Sequence, residues 1–267
     1  MRDTYGRVLR AAAVAAGGLL LAGCSSGGGG DEAKPSRPTP SASGTPTTSP
    51  TTSPTARAFT LDPKKAPRDA ADAKRLALAI LGGPDDWGPD FVERSPYLSA
   101  PGYWPVLDTD CAWEAGTAPR SVLYTVTAYS EIPAAGGKGP LRVAATVTVH
   151  RTDADADWEM ASTLEEALRC PAQELRQGER ITGLKSLGVP YGAAENLDTI
   201  MEQGSYLADA FKGTQTYSWY QLRIGQVSVA AVVKGAPGRT PAEGTTAQIR
   251  VTGLMQARAK TQLGAQS

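Results

Sequence analysis

The chain has 267 residues, 27 Lys+Arg against 27 Asp+Glu, one histidine and three cysteines. Balanced charge gives no electrostatic footprint for nucleic acid and no polybasic patch for anionic lipid, so no nucleic-acid partner is expected. A lone histidine excludes His-rich zinc sites and metalloprotease helices with paired histidines.

Arg2, Arg7 and Arg10 precede a short apolar run, AAAVAAGGLLLA over 11–22, which ends in Leu21-Ala22-Gly23-Cys24. The run is too short to span a bilayer as a stable helix. The pattern resembles a bacterial lipoprotein signal. That resemblance implies cleavage before Cys24, diacylation of its thiol, and a lipid anchor in the outer face of the cytoplasmic membrane. No Arg-Arg pair is present, which favours the general secretory route over the twin-arginine route. Residues 1–23 thus read as signal peptide. Removing the three arginines and Asp3 with it leaves 24 basic and 26 acidic residues.

Residues 24–57 comprise the cysteine and a Gly-, Thr-, Ser- and Pro-rich tract lacking apolar residues, whose composition predicts a disordered stalk. About 33 such residues give a root-mean-square reach of roughly 30 Å and an extended limit near ~110 Å. Residues 58–267 read as one extracytoplasmic domain, long enough to bury a substantial core. With Cys24 consumed by lipid, Cys111 and Cys170 remain in an oxidising compartment, and a disulfide is the expected outcome. Closing the loop of about 60 residues between them would contribute ~4 kcal/mol by chain entropy. A redox pair or a metal site is the alternative, but there is no Cys-x-x-Cys.

A helix is predicted from Asp69 to Leu81, with Ala73, Leu76, Ala77 and Ile80 at helical spacing and Gly82-Gly83 as its stop. Residues 84–119 show weak periodicity and read mainly as loop. Residues 122–129 and 141–150 alternate with period two, which predicts an antiparallel hairpin whose Val143, Ala145, Val147 and Val149 share one face. Asp153 is placed to cap a helix running to about Leu175. Its expected apolar stripe is Trp158, Ala161, Leu164 and Leu168, with Pro171 as a late break. Strands are expected over 179–187 and 196–207, then a hairpin over 214–224 and 227–234. Thr240-Pro241-Ala242-Glu243 forms a capping box, and Ile249, Leu254 and Leu263 mark a terminal helix. This order predicts an α+β domain, an antiparallel β-sheet with helices packed on one face.

Few residues suggest chemistry. His150 ends a strand and is expected to face solvent. The one Gly-x-Ser-x-Gly match, 23–27, straddles the cleavage site and is accidental. Asp153, Asp155, Asp157 and Glu159 suggest calcium, but an EF-hand loop starting there would place Trp158 and Leu164 where glycine and glutamate are required. Asp108, Asp110 and Glu114 flank Cys111 and could supply a glycosidase-like carboxylate pair. On the strand 214–224, Tyr220, Leu222 and Ile224 share the core face. Tyr217, Trp219, Gln221 and Arg223 share the other. A polar-aromatic stripe with one cation suits a small-molecule or peptide site, with Tyr217, Trp219 and Arg223 as its ligand-binding residues. Trp87, Trp104 and Trp113 lie in the segment that could fold over it. The competing reading makes these rings a second packing layer. No cofactor and no metal ligand set is expected.

The LAGC lipobox, the Thr/Pro/Ser stalk, the helix-hairpin-helix-strands-helix order and the positions of the two cysteines together resemble a known group. They are similar to actinobacterial lipoproteins whose domain is like the extracellular sensor domain of mycobacterial Ser/Thr protein kinases. The resemblance implies an antiparallel sheet with helices forming a ligand cleft. It implies a non-catalytic, membrane-tethered module for an unknown small molecule or envelope protein. The alternatives are a cell-envelope hydrolase using loop carboxylates and an assembly factor of a membrane complex. Sensor domains of that group often carry two disulfides, whereas this chain can form one.

Overall fold

The computed structural model describes residues 59–191 and 197–265. The expected signal peptide, the expected stalk and Cys24 lie outside the described residues. A 3-10 turn at Pro63–Lys65 is followed by α1 (Ala70–Ile80), α2 (Pro84–Trp87), β1 (Val92–Leu98), β2 (Tyr103–Leu107), β3 (Trp113–Thr117), β4 (Val122–Ile132) and β5 (Leu141–His150). Next come α3 (Asp153–Arg169), β6 (Gln173–Arg176), β7 (Glu179–Tyr191), β8 (Leu197–Ala208), β9 (Gln215–Ile224), β10 (Val227–Lys234) and α4 (Pro241–Leu263).

Local sequence explains most of these boundaries. Asp69 caps α1 by accepting the backbone N–H groups of Ala71 and Asp72, and Ala73, Ala77 and Ile80 form the buried face of the helix. At Gly82 a side-chain Cβ would come within 2.5 Å of Val251, so glycine lets the end of α1 abut α4. The Thr240–Glu243 capping box opens α4 as its sequence requires. The cap of α3 is Thr152 rather than Asp153, and the helix ends at Arg169, ahead of Pro171.

Residues 84–119, expected to be mostly loop, contain α2 and three strands. These strands are largely exposed on both faces and so carry no apolar alternation. Pro96 and Pro105 lie inside them, which suits an edge strand and a detached hairpin. Only β1 joins the main sheet, against β4; β2 and β3 pair with each other.

The main sheet is antiparallel, in the order β1-β4-β5-β10-β9-β8-β7-β6. It curls into a half-barrel with helices packed against it, an α+β architecture. Helices α1 and α4 cover the convex face. There Val126, Val143, Ala145, Val147, Val149, Leu222, Ile224, Val227 and Val229 pack with Ala77, Val251 and Met255. Helix α3 crosses the concave face, where Glu159 meets Ser228 and Thr163 meets Gln221. The helices are therefore divided between the two faces rather than gathered on one. At the ends of the domain, Ala265 N–H donates to Thr60 O and Asp62 N–H to Leu263 O, both at 2.8 Å.

Candidate ligand-binding groove

Tyr217, Trp219, Gln221 and Arg223 share one face of β9, with Leu222 and Ile224 in the core behind them. That face is covered by α3. Tyr217 and Arg223 are buried, and Trp219 packs half-buried with Ile181, Tyr206 and Tyr217. Arg223 Nε lies 2.7 Å from Asp157 Oδ1 on α3 and 2.8 Å from Asp198 Oδ2 on β8, and Nη1 donates to Gly225 O at 3.2 Å. The guanidinium is thus committed to fastening α3 onto the sheet. The stripe read from the sequence as a recognition surface is a packed layer. Trp87 lies in the core on the other face, and Trp113 Nε1 donates to Gln173 Oε1 at 2.8 Å.

The concave face is apolar around Ile181, Tyr206 and Tyr217 but polar towards His150 and Arg223, and the polar part sets the orientation of α3. His150, expected at the surface, is 2% exposed, with Nε2 2.8 Å from Glu159 Oε2. Ser228 Oγ donates to the same carboxylate oxygen, and Thr163 Oγ1 donates to Gln221 Oε1 at 3.0 Å. Leaving Arg223, His150 and Gln221 buried without partners would cost far more than exposing apolar surface. Asp157 and Glu159 of α3 therefore reach the sheet beside the buried Ala156, Met160 and Ala167. Trp158, at 75% exposure, and Leu168, at 82%, point to solvent with Ala161, so of the predicted stripe only Leu164, beside Gly188 of β7, meets the sheet. Glu202 on β8 is also buried, with no ion pair among the described residues. Burial, with Glu166 nearby, pushes its carboxyl up to about 7.

Cys111 and Cys170 form a disulfide, with Cα atoms 5.6 Å apart. It pins the β2–β3 hairpin to the end of α3. Arg169 Nη1 reinforces this by donating to Asp108 O at 2.8 Å. Asp108 Oδ1 accepts the N–H groups of Asp110 and Ala112, so its carboxylate serves the turn. Glu114 is exposed on β3.

At the far end of the concave face, Glu179 collects cations. Arg176 bonds one carboxylate oxygen, Lys234 Nζ donates to the other at 2.9 Å, and Arg142 Nη1 lies at 3.9 Å. Burial opposes ionisation there, but bonds from Arg176 and Lys234 overcome it and hold the carboxyl down at about 2.

Beside this hub, between the β6–β7 edge and the disulfide loop, lies an open groove of about 310 Å³. Asp110, Glu174, Arg180, Thr182 and Asp209 supply its polar lining together with Gln173 and Glu179. A second depression of about 260 Å³ adjoins it, sharing Arg180 and Asp209 and adding Leu207, Ala208 and Phe211. Glu174 stands directly opposite Arg180 in the β6–β7 register. Among the described residues, the side chains of Asp110, Glu174, Arg180 and Asp209 have no hydrogen-bond or ion-pair partner. Apart from Asp110, none of these residues stood out in the sequence. They come from four separate segments, and no motif links them. The chain matches no family model and no curated protein.

Proposed function

We propose that this protein is a lipid-anchored, extracytoplasmic binding module, non-catalytic and sensor-like, with the groove beside Arg180 as its ligand site. The carrying observation is the groove itself, where Asp110, Glu174, Arg180 and Asp209 are unspent on the fold and only Glu179, among the charged lining residues, is paired. Its placement supports the reading. The chain enters the domain beside the β9–β10 turn, where a Cβ on Gly225 would come 2.9 Å from Leu61. The groove depressions reach Gly213 and Thr214, at the opposite end of β9. A ten-residue strand spans about 33 Å, so a tether at the N-terminus leaves the groove at the distal pole. Among the described residues no helix is long and apolar enough to cross a membrane. On this reading the LAGC motif supplies the attachment, through a lipid on Cys24. The resemblance to kinase sensor domains belongs to this reading, as does a signalling partner. The hydrolase alternative is weakened by the engagement of Asp108 in its turn.

The test is capture from native membranes with the full chain, analysed for proteins and small molecules, beside Arg180→Glu. Ligand captured by the parent and lost with Arg180→Glu is expected; equal capture by both removes the groove as the site. Cys24→Ser should shift the protein from the detergent to the aqueous phase, and unchanged partitioning would refute the anchor.

A further inference from the structure

We infer that the groove takes a small zwitterion with an apolar body, an amino acid or short peptide bearing free amino and carboxyl groups. This rests on the groove being the binding site, as proposed above. Arg180 is the one cation lining both depressions, and its guanidinium is unpaired. A planar fork of donors in this state accepts a carboxylate through two parallel hydrogen bonds. A simple anion is nonetheless disfavoured. Asp110, Glu174 and Asp209 line the same groove with three exposed carboxylates, none of them held in an ion pair. The ligand must therefore bring positive charge of its own, and an ammonium group supplies three donors to such a set.

Glu179 lines the same groove but takes no part, because Arg176 and Lys234 already occupy its oxygens. Gly178 leaves room for the Asp209 carboxylate. Its φ of +76° suits glycine, and a Cβ there would lie 3.0 Å from Asp209 Oδ2. Beyond the charged part, Leu207, Ala208 and Phe211 offer apolar area in the adjoining depression. Phe211 is steadied by edge contact with Tyr206, their ring centroids 5.8 Å apart. The geometry gives one end for a carboxylate and an ammonium and one end for an apolar side chain. The volumes fall at the small end of ligand sites, the size of a short peptide rather than a polymer.

The probe is the dipeptide Gly-Leu, titrated calorimetrically into the full chain in detergent beside its N-acetylated and C-amidated forms. Gly-Leu should bind, and each capped form should bind at least about tenfold more weakly, since each loses a charge-assisted contact. Arg180→Gln should erase the preference over the amide and keep the preference over the acetyl form. Asp209→Asn combined with Glu174→Gln should do the reverse. Equal binding of the three probes, or none at millimolar concentration, overturns the zwitterion assignment. If Gly-Leu fails while Arg180→Glu still abolishes membrane capture, the ligand class is wrong and the groove stands.

Discussion

Lys234 Nζ on β10 donates to Glu179 Oε2 on β7 at 2.9 Å, although β9 and β8 lie between them. In a flat sheet three strand spacings would hold those backbones about 14 Å apart. The ion pair therefore closes across the curl of the half-barrel, and Arg142 on β5 reaches the same carboxylate at 3.9 Å. Glu179→Gln should lower stability by about 3 kcal/mol, because it leaves three cations facing a neutral group in a largely buried site. Chemical denaturation measures this, and a loss below about 0.5 kcal/mol would show that the hub does not hold the curl.

Two buried carboxyls shape the pH profile with opposite signs. Glu179, held at about 2, adds stability that is complete above 4.5 and lost as pH falls towards 2. Glu202, raised to about 7, adds stability that is present below 4.5 and lost as pH rises towards 7. Glu166, raised by burial to about 7, acts in the same direction. The groups facing Glu202 are Glu166 from α3 and Tyr217 from β9, neither of them a cation. Stability should therefore be greater near pH 5 than near pH 8, by on the order of 2 kcal/mol, and Glu202→Gln should flatten that slope. An unchanged slope in the variant would move the effect elsewhere.

Helix α3 offers a direct check of which face it buries. Trp158→Ser should change stability by no more than about 0.5 kcal/mol, as expected for a surface substitution. Met160→Ala should cost about 2–3 kcal/mol, because Met160 is 5% exposed against the sheet. Thermal unfolding of the two variants decides the matter, and a reversed order would turn the helix over.

Trp219 and Arg223 should behave as structural residues. Trp219→Ala is expected to cost about 3 kcal/mol through lost packing with Tyr206 and Tyr217. Arg223→Ala should cost about 2 kcal/mol and loosen α3, since Asp157 and Asp198 are partly solvated and tolerate losing the cation better than a buried pair would. Hydrogen exchange on α3 reports the second effect. Full stability in both variants would restore this stripe as an open recognition face.

Reduction of Cys111–Cys170 should lower stability by about 2–5 kcal/mol. Alkylation of the unfolded, unreduced protein should label neither cysteine, and labelling of both would show the pair to be free.

Legibility in the sequence followed the physical strength of each signal. The β4–β5 and β9–β10 hairpins were visible because one face of each strand is buried in the main core, which imposes strict alternation. The α1 and α4 starts were visible because Asp69 and Thr240 carry their own capping chemistry. The disulfide followed from counting cysteines. Strands β1 to β3 were hidden because both faces are largely exposed, and proline interrupts two of them. The orientation of α3 was hidden for a different reason. Apolar spacing favoured Trp158 and Leu168, whereas the outcome was set by Arg223, His150 and Gln221, which need partners and lie far away in sequence. The groove was invisible because Asp110, Glu174, Arg180 and Asp209 meet only once β6, β7 and the disulfide loop are assembled.

The hydrogen bonds joining Thr60 to Ala265 and Asp62 to Leu263 make the folded domain, in effect, a ring opened at a single point. A circular permutant that links 265 to 59 by a few residues and begins at the exposed Gly136-Gly137 turn would keep every core contact. Its new ends would emerge from the β4–β5 turn. Attached to a surface through either of them, the domain would present a different pole outward, with the groove beside Arg180 itself unaltered.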